Sequence, residues 1–180
     1  MPPPTSWPTS DTQAVVDFDL PLDAAPATAA PLAVAAVGEA AQAVRCGERW
    51  IAFPYGWARS AVEQVQLSAV PGAPAWLAGA ANVEGRIVPV IDLVAWTTPG
   101  RFIDARVKDA RLLVGGDGED VAAVLFQGMP RLVRVSREPQ VIGQDRLTPY
   151  VIGHDIADLQ TVTLDAPRLI EALIEELALR

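Results

Sequence analysis

From Ala43 to Leu164 the chain sets short runs of Val, Ile, Leu and aromatic residues between breaks that carry Gly or Pro, about every ten residues. Runs of that length suit strands, and breaks at that spacing predict a small all-β barrel or sandwich. The predicted strands cover residues 44–53, 61–67, 80–83, 86–90, 111–114, 121–126, 131–135 and 161–164. Gly115, Gly116, Asp117 and Gly118 fall between two of these runs and predict a tight hairpin, where glycine supplies positive φ. The last element differs in kind. Leu169, Ile170, Leu173, Ile174 and Leu177 recur at helical spacing behind Asp165, which can cap the helix start, so an amphipathic C-terminal helix is expected to cover the barrel.

The first 40 residues lack this texture. They hold seven of the 16 prolines and ten alanines, and such a segment cannot bury enough apolar surface to offset the entropy of ordering it. The expected organisation is therefore a disordered Pro/Ala-rich tail over residues 1–42 and one folded domain over residues 43–180. Ala14, Val15, Val16, Asp17, Phe18, Asp19 and Leu20 mix apolar residues with acids, as short docking motifs do, although a chance apolar cluster in a linker looks the same. A weak echo links two stretches further on. Val88 to Leu93 and Val162 to Asp165 each read as a buried strand ending in a capping aspartate, as two related lobes would.

Charge sharpens this division. The net charge is −8, but no Lys or Arg precedes Arg45, so the first 44 residues carry −5 and the remaining 136 carry −3. Neither part has the basic face that nucleic-acid affinity requires. One cysteine, Cys46, and one histidine, His154, cannot assemble a Cys/His zinc site of about four ligands. A reducing, cytoplasmic compartment is expected, because no segment has the length of a membrane span or the basic start of a signal peptide.

Catalytic chemistry finds little support. His154 lies in a turn-like Gly-His-Asp context, no Gly-x-Ser-x-Gly elbow occurs, and Cys46 reads as a structural cysteine. Gly115 to Asp120 is too acidic to cradle phosphate and lacks the alternating acids of a calcium loop. Any two of the 22 acids could form a hydrolytic pair, but the sequence singles none out. The five tryptophans, Trp7, Trp50, Trp57, Trp76 and Trp96, could line a sugar or partner site but read mainly as core. No cofactor or metal is implied.

The stretch from Val70 to Leu93 is the specific one. It runs Val-Pro-Gly-Ala-Pro-Ala-Trp-Leu-Ala-Gly-Ala-Ala-Asn-Val-Glu-Gly-Arg-Ile-Val-Pro-Val-Ile-Asp-Leu, and it closely resembles the central signature of the CheW-like family. Gly79 and Gly85 permit tight turns, Asn82 can satisfy turn backbone groups, Pro89 sits where a strand can forgo an amide, and Asp92 can cap the next element. The likeness extends from about Val44 to Leu179. Cys46 to Trp50 resembles the family's first hairpin, and Tyr150 to Gly153 with Val162 to Asp165 and Leu169 resembles its closing strand and helix.

The resemblance implies a mainly β fold of two five-stranded, SH3-like barrel lobes with a C-terminal helix. It implies a non-catalytic scaffold that couples chemoreceptors to a CheA-type histidine kinase, in bacterial chemotaxis or in type IV pilus twitching. Partner-binding or contact-shaping roles fall on Val62, Val83, Glu84, Gly85 and Val88. The expected partners are the kinase and the cytoplasmic domain of a methyl-accepting chemoreceptor, with the tail reaching a polar-localisation or array protein. No nucleic acid and no membrane insertion are implied. Three polar positions depart from the pattern: Glu84 replaces the Arg of Asn-Leu-Arg-Gly, Gln64 stands between Val62 and Val65 where an acid is usual, and Gln127 precedes Gly128 in place of another acid. Losing one member of a buried interfacial charge pair costs about 2–5 kcal/mol unless the partner has changed too. The competing reading is a small-molecule-binding barrel, or a hydrolase with an unrecognised carboxylate pair.

Overall fold

Ten strands and two α-helices follow one another along the chain in a computed structural model that describes residues 38–138 and 144–179. They are β1 (Glu39–Cys46), β2 (Arg49–Pro54), β3 (Ala58–Val62), β4 (Leu67–Ser68), β5 (Leu77–Val83), β6 (Arg86–Ile91), α1 (Leu93–Thr97), β7 (Ala110–Gly115), β8 (Ala122–Ser136), β9 (Val151–Asp155), β10 (Val162–Leu164) and α2 (Ala166–Ala178). A 3₁₀ turn at Thr148–Tyr150 precedes β9.

Hydrogen bonding divides the strands into two lobes that share β8. In the first, β1 pairs with β2, β2 with β10, β10 with β9, β9 with β8, and β8 returns to β1, closing a five-stranded barrel. In the second, β3, β7, β8, β6, β5 and the two-residue β4 follow in that order. The mainly β, two-lobed architecture read from the sequence is the one observed. The internal echo has a counterpart in pairing. β6 lies parallel to β8 and leads into α1, while β10 lies parallel to β2 and leads into α2.

Several boundaries differ from the sequence reading. The run over 44–53 is a hairpin that turns at Gly47 and Glu48, with Val44 opposite Ile51. Strand β1 begins at Glu39, so residues 39–42, assigned to the tail, belong to the first lobe. Ala41 and Ala43 are both fully buried there, and the run Glu39 to Ala43 carries no β-branched or aromatic signal. The run over 61–67 breaks into β3 and β4. The two runs over 121–126 and 131–135 are one 15-residue strand. Pro130 falls where the β1–β8 register shifts, between the Arg45–Gln127 and Ala43–Arg131 pairs, and a bulge of this kind tolerates a residue without an amide. The tail reading for residues 1–37, with Trp7 and the Ala14–Leu20 motif, lies outside the described residues.

Alternate residues feed two main cores. Val44, Ile51, Phe53, Val162 and Leu164 meet Trp76, Trp96 and the buried face of α2 in one. Val88, Val90, Leu112, Val114, Ala123 and Leu125 form the core of the second lobe. Asp165 caps α2 by accepting the Arg168 N–H at 3.3 Å, and Asp92 caps α1 by accepting from Val94 and Ala95 at 2.8 and 3.1 Å. Among the described residues no helix is long and apolar enough to cross a membrane.

Candidate partner-binding surfaces

The β5–β6 hairpin presents the first surface. Val83 pairs with Arg86, leaving Glu84 and Gly85 as a two-residue loop. Both have positive φ, +53° at Glu84 and +84° at Gly85, the combination of a type I′ turn, whose twist matches the flanking strands. Asn82 holds the turn by accepting the Gly85 N–H at 2.9 Å. Glu84 and Gly85 are exposed at its tip, while Val83 is half-buried against the second core. Arg86 is not free to replace the missing signature Arg at the tip, because its guanidinium donates to the Gly118 carbonyl at 2.9 Å.

The remaining sequence-derived positions separate by depth. Val62 lies on β3 opposite Leu112 and is half-buried against the same core as Val83. Val88 is 1% exposed, so it can shape the hairpin but presents no side chain to a partner. Two of the signature glycines sit where a side chain would not fit. A Cβ on Gly79 would stand 2.7 Å from the Ser68 carbonyl oxygen, and one on Gly153 would stand 1.9 Å from that of Ser136. Pro89 is exposed on β6. Asp92 is buried, and beyond its capping bonds its Oδ2 accepts the Ile103 N–H at 2.6 Å. Burial pushes its carboxyl above the ordinary aspartate range against the pull of these three backbone donors.

A second surface was not legible in the sequence. Met129 and Leu132 are both more than 60% exposed on β8, beside the register shift where that strand leaves one lobe for the other. Leu132 pairs with half-buried Gln42, and Tyr55, which follows β2, is about half exposed. The only signal was the strand itself, which the break at Gly128 and Pro130 concealed.

Neither Cys46 nor His154 is placed for nucleophilic chemistry. The Cys46 thiol is buried, and burial, aided by the charge of Asp92, pushes it up to about 12, which leaves it unreactive near neutral pH. His154 is buried with Nδ1 2.9 Å from the Glu138 carbonyl oxygen, a backbone partner rather than a nucleophile. Among the described residues no group of three or more His, Cys, Asp or Glu is placed to hold a metal ion. Trp57, Trp76 and Trp96 are buried and Trp50 is half-buried, so these four are largely core.

Comparison with known proteins agrees with this geometry. The family model described as "CheW-like domain" matches residues 41–172. A 70-residue stretch is 31% identical to Protein PilI of Pseudomonas aeruginosa, covering 39% of this chain and 38% of that protein. The chain thus matches well under half the length of that curated relative. The crystal structure of the scaffolding protein TtCheW from Thermoanaerobacter tengcongensis superposes with a TM-score of 0.59 at 19% identity, covering 71% of this chain and 89% of that one.

Proposed function

The chain belongs to the CheW-like domain family, a family of non-catalytic scaffolds, and from that premise we propose that it couples a chemoreceptor to a CheA-type histidine kinase in chemotaxis or pilus-driven motility. The observation that carries this reading is the family match over both lobes, residues 41–172, together with the absence of a reactive nucleophile at Cys46 and His154. Kinase docking is assigned to the β5–β6 tip, where Glu84 and Gly85 project into solvent with Val83 beneath them. Strand edges and turn tips recognise partners by backbone pairing and shallow apolar pockets. Receptor docking is assigned to the exposed apolar residues of β8, Met129 and Leu132. Residues 1–37 carry four of the 22 acids and no base and would tether the scaffold to a cytoplasmic array, with the Ala14–Leu20 motif as the contact.

The test is capture of the kinase and of the receptor cytoplasmic domain by the full chain, by Glu84→Arg and by Leu132→Asp. The full chain is expected to capture both. Leu132→Asp should lose the receptor and keep the kinase. A gain of kinase binding in Glu84→Arg would show that this chain has moved toward a partner with a different charge at that contact. If the full chain captures neither protein, the coupling role is wrong.

A further inference from the structure

We propose that the cleft between β6 and α2 is a docking site for a basic amphipathic helix of a partner protein. The cleft has a volume of about 440 Å³. One wall is the outward face of β6, where Ile87, Pro89 and Ile91 follow at every second residue. The other is α2, whose apolar stripe runs further than the core needs. Leu169, Ile170 and Leu173 are buried, but Ile174 is 55% and Leu177 41% exposed, and Ile87 facing the same cleft is 70% exposed. Two convergent apolar stripes with a buried Trp76 and Leu173 in the floor suit the i, i+3, i+4 and i+7 anchors of a helix laid in a groove.

The charges around the cleft select the sign of the partner. The polar side chains lining it are Arg86, Glu119 and Asp120. Arg86 donates to the Gly118 carbonyl and keeps its charge, so Glu119 and Asp120 together outweigh it by one negative charge. On the other flank of α2 an adjoining cleft shares Asp120, Ile170 and Ile174 and adds the exposed acids Asp117, Glu171 and Glu175, with Arg168 as its cation. Asp117 is paired with Arg59. The remaining carboxylates on either side of the Ile174 ridge attract lysines and arginines and repel acidic chains. A second copy of this chain would bring the same carboxylates to the interface. A small polar ligand would find no free polar side chain on the cleft floor to orient it, because the Trp76 indole N–H already donates to Glu176. The site does not use the Glu84 tip, so it stands apart from the kinase assignment above.

The experiment is fluorescence anisotropy of the full chain with two labelled helices of about 18 residues, five turns each. Both have the same leucine spacing, one with lysine and the other with glutamate at the polar positions. The lysine helix is expected to bind and the glutamate helix not. Ile87→Ser and Leu177→Ser should each weaken binding roughly tenfold, the effect of removing one anchor. Glu119→Lys should weaken it and flatten its dependence on salt, whereas Glu48→Lys, in the β1–β2 turn outside the cleft, should leave it unchanged. Equal binding of the two helices, undiminished binding by both serine variants, or equal weakening by Glu48→Lys and Glu119→Lys would each overturn the proposal. So would a wild-type dimer in sedimentation that Ile87→Ser disperses, because the cleft would then be filled by a second copy.

Discussion

Glu84 occupies left-handed backbone, φ +53°, at a turn position that favours Asn or Gly. A side chain of this kind in that region costs about 1–2 kcal/mol, while Asn tolerates it. Glu84→Asn is therefore expected to stabilise the chain by about 1 kcal/mol, read as a rise of about 2–4 °C in Tm for a protein of this size. Glu84→Arg retains the same strain and should leave Tm unchanged, so its effect on partner capture isolates charge from turn geometry. The two neighbours on β6 make a second contrast. Val88 is buried in the second core and Ile87 is exposed, so Val88→Ala should cost about 1.5–3 kcal/mol in urea unfolding. Ile87→Ala should stay within about 0.5 kcal/mol. An equal loss in both would mean that Ile87 is covered in the folded chain.

At the scale of elements, α2 is held to the first core by a polar clamp as well as by its apolar face. The Glu176 carboxylate accepts from the indole N–H groups of Trp76 and Trp96 at 3.2 and 3.1 Å and from Arg146 at 2.5 Å. Arg146 also stacks over the Trp96 ring at 4.3 Å. Glu176→Gln keeps the shape but places an amide donor toward one of these donors, so a loss of about 1–2 kcal/mol is expected, with faster hydrogen exchange in α2 before global unfolding. None of this clamp was legible in the sequence, where residues 76, 96, 146 and 176 have no pattern in common. The helix itself was legible, because Leu169, Ile170 and Leu173 keep a helical period and Asp165 begins it. The β5–β6 signature was also legible, since its turn is made by adjacent residues. Strand β1 was obscured by alanine composition, and the continuity of β8 by a Gly and a Pro that mark a bulge rather than an end.

Across the whole molecule, the two lobes repeat one arrangement, a parallel strand followed by an aspartate-capped helix, and the carboxylates that join their elements make folding sensitive to acid. Burial alone would raise Asp145, but its bond and ion pair with Arg49, with donors from Leu147 and Thr148, hold it below the ordinary 3.8. Burial would likewise raise Glu176, yet Trp96, Arg146 and Trp76 hold it below 4.5. Asp158 is lowered by Thr161, Gln160 and Arg131. A carboxylate whose folded pKa is depressed contributes stability that is present above its unfolded pKa and lost as pH falls through the folded one. Asp92 acts in the opposite sense, because its raised folded pKa disfavours the folded state at neutral pH, a penalty relieved on acidification. Asp92 takes up its proton at a higher pH than the other three, so below about pH 4 only the depressed carboxylates still titrate and the urea midpoint should decline there. Asp145→Asn should be less stable than wild type at neutral pH, and its midpoint should fall less steeply in acid, since the Arg49 link is already weakened. Parallel declines in the two proteins would remove Asp145 as a source of the acid sensitivity and leave the effect with Glu176 and Asp158.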